Sequence, residues 1–218
     1  MAEPEIPNQL LAAIGGDLEP VEPLKSPARR MFHYLPVGIL LIAAMPLVWG
    51  LRANGPELGF FATWGLSALQ TLAGVLIVGA ALREAVPGRE LSPRALAATA
   101  GAAVLLFVGL SLGTQWLAPN QMRPGVAWQF AWECFFMATT WSVPALAAAA
   151  WLAYRALPTR PAVAGAICGL GAGLMADAGV RLFCWVSEPA HVLVAHGGSI
   201  LFLVALGAGA AVLIDRWR

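Results

Sequence analysis

Seven side chains in this sequence could do chemistry, and they fall in two stretches. Glu133 and Cys134 are adjacent, while Asp177, Arg181, Cys184, His191 and His196 lie within twenty residues of one another. Asp177 and Arg181 are four apart, which places them on one face of a helix; they can form a self-contained ion pair, with Glu133 as a competitor for the same guanidinium, or line a polar pocket that senses something from outside. Two thiols and two imidazoles are the donor set of a soft-metal site. Such a site requires Cys134 and Cys184 to meet His196, with His191 as the fourth donor. The same thiols would form a disulfide or redox pair in an oxidising compartment, or simply pack, and the residues alone leave all three readings open. Cys168 stands between glycines and reads as packing. The sequence has no C-x-x-C, which removes thioredoxin-like and zinc-ribbon chemistry.

What must position these groups is a membrane bundle. The chain is 59% hydrophobic and 11% charged, whereas soluble domains carry about 25% charged residues. Six apolar windows reach the roughly 20 residues a helix needs to cross a bilayer: Tyr34–Leu51, Gly59–Leu82, Ala95–Leu117, Trp128–Leu152, Val163–Trp185 and Val192–Ile214. They lack the alternation of a transmembrane β-barrel. The expectation is an all-α polytopic protein, with a segment 1–32 ahead of a six-helix domain 33–218. The first apolar run starts too late for a cleavable signal peptide.

Ten of the thirteen Lys/Arg fall on one side of this pattern, and only Arg52, Arg123 and Arg181 on the other. Basic loops stay cytoplasmic, so both termini are expected inside and the thiols outside. Ser26-Pro27 and Ser92-Pro93 read as an N-cap followed by Pro at the first helical position, and Thr159-Arg160-Pro161 opens the fifth span. Trp49, Trp64, Trp116, Trp128, Trp132 and Trp185 cluster toward the outer ends as interfacial anchors, and Trp151 and Trp217 toward the inner ends. Trp141, mid-span, is expected to pack between helices. Gly165, Gly169 and Gly173 recur every four residues, a spacing that lets helix backbones approach closely. Packing within the chain is the main reading, and a homodimer seam is the alternative. Pro36 and Pro144 are expected to kink the first and fourth spans.

The leading segment is acidic: Glu3, Glu5, Asp17, Glu19 and Glu22 are five of the twelve Asp/Glu. Its apolar run Leu10-Leu11-Ala12-Ala13-Ile14 ends at Gly15-Gly16 and makes about two helical turns, too short to stand alone in water. The Pro-spaced stretch after it reads as an extended spacer. A segment of this kind either stays unstructured or orders on a basic cytoplasmic partner. The net charge of +1 and the lack of a basic stripe argue against direct nucleic-acid binding.

With these residues in place, the chain resembles the NrsF-type (negative regulator of sigma F) integral membrane anti-sigma factors over nearly its whole length. The likeness runs through Leu10-Leu11-Ala12, Asp17-Leu18-Glu19-Pro20-Val21, Pro23-Leu24 and Arg29-Arg30. It continues through Cys134 early in the fourth span and Leu157-Pro158 to Gly165. It closes on Leu182-Phe183-Cys184, Pro189-Ala190-His191-Val192-Leu193 and His196-Gly197. Ala195 stands where the family pattern has Trp. The resemblance implies a bacterial inner-membrane protein, regulatory in transcription and stress response. Its leader (Leu10, Leu11, Ile14, Asp17, Leu18, Glu19) would hold an extracytoplasmic-function-type sigma factor, and its outer cysteines, Cys134 and Cys184, would perceive a signal. The expected signal is thiol-reactive, either a soft metal ion or an oxidant, and the sequence identifies no resident cofactor.

Two rivals remain from other classes. One is a small transporter or channel using Glu133, Asp177 and Arg181, although these groups sit in the outer half with no inner relay. The other is a membrane thiol oxidoreductase, although its two cysteines are fifty residues apart. The sequence offers no Ser/His/Asp nucleophile set, phosphate-cradling loop or metal-protease motif, so no enzyme is expected.

Overall fold

The computed structural model describes residues 7–16, 23–117 and 124–217. A short leader helix, Asn8–Gly16, precedes six long helices. The first four spans are Pro27–Trp49, Gly55–Glu84, Pro93–Leu117 and Pro124–Tyr154, and the last two are Pro161–Phe183 and Pro189–Arg216. All six are long and apolar enough to cross a membrane. No strand occurs among the described residues. The first span begins earlier than its apolar window, because Ser26 caps it: the Arg29 amide donates to Ser26 Oγ at 3.3 Å, with Pro27 in the first turn. Ser92 does the same for the third span through the Ala95 amide, at 3.2 Å.

The fifth span is the axis of the bundle. Of its most apolar window 83% is buried, against 11% for the third span, which lies at the periphery and exposes Val104, Leu105 and Leu112. Small residues put it there. A Cβ at Gly165 would run into the Gly207 carbonyl, one at Gly169 into the Leu203 carbonyl, and one at Gly173 would lie 3.1 Å from Ile200 Cα, all on the sixth span. On the opposite side a Cβ at Gly171 would meet the Gly74 carbonyl of the second span at 2.7 Å. Within lipid, helices associate through such close packing rather than through water exclusion. The glycine stripe is therefore used inside the chain, as the packing reading expects. Cys168 lies fully buried in this seam, and Trp141 packs against both hydrophobic clusters.

Polar side chains tie the helix ends, where backbone carbonyls lack intrahelical partners. At one end Arg52, in the first loop, donates its amide to Leu182 O (2.8 Å), its guanidinium to Arg181 O (3.3 Å) and its Nε to Asn54 Oδ1 (2.7 Å). At the other, Arg30 donates to Leu152 O (2.7 Å) and Leu82 O (2.9 Å).

Among the described residues two helices depart from the α-helical register. The second span breaks at Gly59, whose φ of 76° suits glycine, and continues through a π-helical turn at Phe61–Gly65. The sixth carries a π-helical turn at Val192–Gly197. Sequence periodicity signals neither turn.

Candidate functional site

The π turn of the sixth span makes the site. His191 and His196 are five residues apart, which in an α-helix would put them about 140° apart around the axis. A π turn bonds residue i to i+5 and stacks such a pair, and here the two rings meet at a centroid distance of 5.5 Å. His191 enters from the preceding turn, Pro189–His191, whose N-cap Glu188 accepts the His191 amide at 2.8 Å.

Cys184 faces these rings from the end of the fifth span. Its amide still donates to Val180 O (2.8 Å), but its own backbone is extended (φ −71°, ψ 114°), so the chain turns away and leaves the thiol at the helix end. Cys134 comes from the fourth span. The two Sγ atoms are 3.7 Å apart as free thiols, and His191 Nε2 lies 3.4 Å from Cys184 Sγ. One donor atom from each of Cys134, Cys184, His191 and His196 lies within 4.8 Å of all the others, and all four residues are buried. Met45, Ala131, Ala138, Ala176, Val180, Val186 and Ala195 wall the cluster. A cavity of about 10 Å³, lined in part by Arg52, Ser111, Thr114 and Arg181, reaches Cys184 and His196.

The spacing carries chemical information. Zn–S bonds of about 2.3 Å and Zn–N bonds of about 2.0–2.1 Å in a tetrahedron set S···S near 3.8 Å and S···N near 3.5 Å. The observed 3.7 Å and 3.4 Å match those edges.

Asp177 orients His196. Its Oδ1 lies 2.5 Å from His196 Nδ1, and its Oδ2 accepts from Arg181 Nε (2.9 Å) and Gln70 Nε2 (2.6 Å). An ionised carboxylate only accepts, so Nδ1 carries the proton, and it is the neutral tautomer so fixed that would offer a lone pair on Nε2 to a metal ion. That nitrogen is buried and has no hydrogen-bond partner. Metal-binding histidines are held in this way, their other nitrogen fixed by a carboxylate. Arg181 continues the network to Ser111 Oγ of the third span at 2.8 Å.

The structure thus brings together Cys134, Cys184, His191, His196, Asp177 and Arg181. It separates Glu133, which is exposed and makes no ion pair with Arg181. The expected competition with Asp177 therefore does not occur: Glu133 adjoins Cys134 and so points about 100° away around the helix. Sequence reasoning passed over Gln70, Ser111 and Arg52. A lone amide inside the second apolar window was the available sign of Gln70. In the leader, Leu10 and Leu11 are each 51% exposed on the helix Asn8–Gly16. The side chain of Ile14, and Asp17, Leu18 and Glu19, lie outside the described residues.

Fold and site together define a multispan helical membrane protein with a buried thiol–imidazole cluster at one end. The chain belongs to the NrsF family, negative regulators of sigma F, whose sequence pattern it matches over residues 14–217. Membership makes it a regulatory protein of the anti-sigma class with a sigma factor as partner. No curated protein and no solved structure matched the chain.

Proposed function

We propose that this chain is a membrane anti-sigma factor of the bacterial inner membrane. It holds an extracytoplasmic-function-type sigma factor at the cytoplasmic face and releases it when a soft metal ion engages Cys134 and Cys184 on the outer side. The observation that carries the sensing half is the buried set of four donor atoms, all within 4.8 Å of one another, with His196 Nε2 lacking any other partner. An oxidant would use only the two thiols and leave that nitrogen unexplained, so a metal fits the arrangement better. Binding a divalent ion displaces the two thiol protons. The dication and two thiolates then sum to zero charge, as burial in an apolar wall demands. Asp177 and Arg181 are likewise balanced as a pair.

The sigma-binding half rests on the family and on the leader. The helix Asn8–Gly16 leaves Leu10 and Leu11 uncovered, and acidic residues flank it in sequence, a surface suited to a basic protein. Coupling runs through the fifth span, which ends in Cys184 and packs along the first, second, fourth and sixth spans. Moving a two-state equilibrium from 1:99 to 99:1 takes about 5.5 kcal/mol, and structural zinc sites supply about 10–16 kcal/mol.

Two experiments separate the halves. Removing residues 1–30 abolishes co-purification of the sigma factor and makes its transcription constitutive; persistent repression refutes the leader assignment. Replacing Cys134 and Cys184 with Ser preserves sigma-factor capture but removes the response to metal challenge; an unchanged response refutes the thiol assignment.

A further inference from the structure

The end of the bundle opposite the thiols carries cations that no acid balances among the described residues. Nine Lys/Arg lie there among the described residues, against the carboxylates Glu84, Glu90 and Asp215. Glu84 is taken by Arg160, at 2.7 Å, and by the Leu91 amide, also at 2.7 Å. Glu90 accepts from the Gly88 amide (3.1 Å) and the Thr159 hydroxyl (2.8 Å). Lys25, Arg30 and Arg155 have no carboxylate partner among the described residues, yet all three line one cavity of about 380 Å³ between the start of the first span and the end of the fourth. Cavities of roughly 300–1,000 Å³ are the size of small-molecule sites.

The cavity is built rather than incidental. Arg30 is only 3% exposed; its two terminal nitrogens hold the Leu152 and Leu82 carbonyls, and its Nε is buried with no partner. It therefore brings a fixed positive charge to the wall without needing an acid to anchor it. Arg155 lies over the Trp151 ring, 5.2 Å from the centroid, which holds its guanidinium at the rim. Trp151 is itself 61% exposed, and Leu24 and Leu152 complete an apolar side. Cations set among an exposed indole and aliphatic side chains match a group that joins an anionic head to an apolar body. Indole rings favour the headgroup layer, and basic pockets between spans take anionic headgroups.

We propose that this cavity seats the phosphodiester of an anionic phospholipid, with Lys25 and Arg155 donating to the phosphate and Arg30 supplying charge beneath it. The site is separate from the thiol cluster and independent of the sigma-factor reading. It ties the start of the first span, where the leader joins the bundle, to the end of the fourth.

The test is native mass spectrometry of the full-length protein in detergent, titrated in parallel with phosphatidylglycerol, phosphatidylcholine and inorganic phosphate. Phosphatidylglycerol is expected to bind at least tenfold more tightly than phosphatidylcholine. Each lost cation should cost about fivefold, so that Lys25→Gln with Arg155→Gln weakens binding on the order of twentyfold. Arg94→Gln, an exposed cation at the same end but outside the cavity, should leave binding within twofold. Equal binding of the two lipids, or an equal loss from Arg94→Gln, overturns the proposal. Displacement of the lipid by millimolar inorganic phosphate leaves the phosphate chemistry standing but overturns the lipid as its source. Selectivity that emerges only when residues 1–22 are removed assigns the cavity to the acidic leader instead.

Discussion

Among the described residues this bundle buries two carboxylates, Glu84 near the arginine-rich end and Asp177 near the thiol end, each wholly inaccessible. Glu84 closes a structure. Its Oε1 pairs with Arg160 (2.7 Å), and its Oε2 accepts from the Leu91 amide (2.7 Å) and from Arg160 (2.8 Å), which pins the loop between the second and third spans to the start of the fifth. Asp177 is as well bonded, yet its network ends on an imidazole whose far nitrogen has no hydrogen-bond partner and faces two free thiols. Burying a polar atom without a partner costs free energy. A buried imidazole nitrogen left open beside two thiols is a set that a metal ion would complete. Buried atoms without a hydrogen-bond partner occur at both ends, Arg30 Nε and Arg160 Nε among them; what distinguishes the site is that its open atom is an imidazole nitrogen, a metal donor, beside two thiols.

The comparison breaks most readily at the thiols. Cys134→Ser with Cys184→Ser should remove the thiolate-to-cadmium ultraviolet absorption of the purified protein and lower Cd(II) affinity at least ~10³-fold, since thiolates dominate sites of this kind. Retention of the band would show that the cluster is packing. Asp177→Asn tests whether the network positions His196. The affinity should fall about 10–100-fold, as when the carboxylate behind a liganding histidine is lost, while cadmium–thiolate absorption persists at saturation. An affinity unchanged by this variant would reduce Asp177 to a charge partner for Arg181. Glu84→Gln is the matched control at the other end. It should lower stability by about 2 kcal/mol, the scale of a hydrogen bond to a charged group, read as a lower unfolding midpoint in detergent. Its Cd(II) affinity should stay within about twofold of the parent protein's. A loss of affinity as large as that of Asp177→Asn would erase the distinction between the two ends.

Much of this arrangement was legible in the sequence, for reasons specific to particular residues. Span lengths follow from bilayer thickness, and Ser26 and Ser92 announced their helix starts because capping chemistry is local. The Asp177–Arg181 pair followed from a spacing of four, and the convergence of Cys134, Cys184, His191 and His196 from the adjacency of consecutive spans. Glu133 was misjudged: it lies about 100° around the helix from the buried Cys134 and is exposed. The rest was not local. Gln70 meets Asp177 across 107 residues, and no spacing rule reaches that far. The π turn at Val192–Gly197 mattered most, because it brings residues five apart from divergent faces into edge-on ring contact, and composition does not encode it.

The smallest expected effect lies beside Glu84, at the solvated Glu90. Its own backbone amide, the Gly88 amide and the Thr159 hydroxyl, with Arg160 nearby, hold its pKa below the ordinary 4.5. Because the folded value is the lower one, the carboxylate stabilises the fold above the unfolded pKa, and that contribution disappears as pH falls through the folded pKa. Glu90→Gln should therefore lower the unfolding midpoint slightly at pH 7, and the gap to the parent protein should close on acidification below about pH 4. The Cd(II) affinity at pH 7 should not move. A gap that stays constant or widens in acid would mean that Glu90 acts through packing rather than charge. The arginine-rich end would then not be the electrostatically braced counterpart that makes the unfinished network at the thiols stand out.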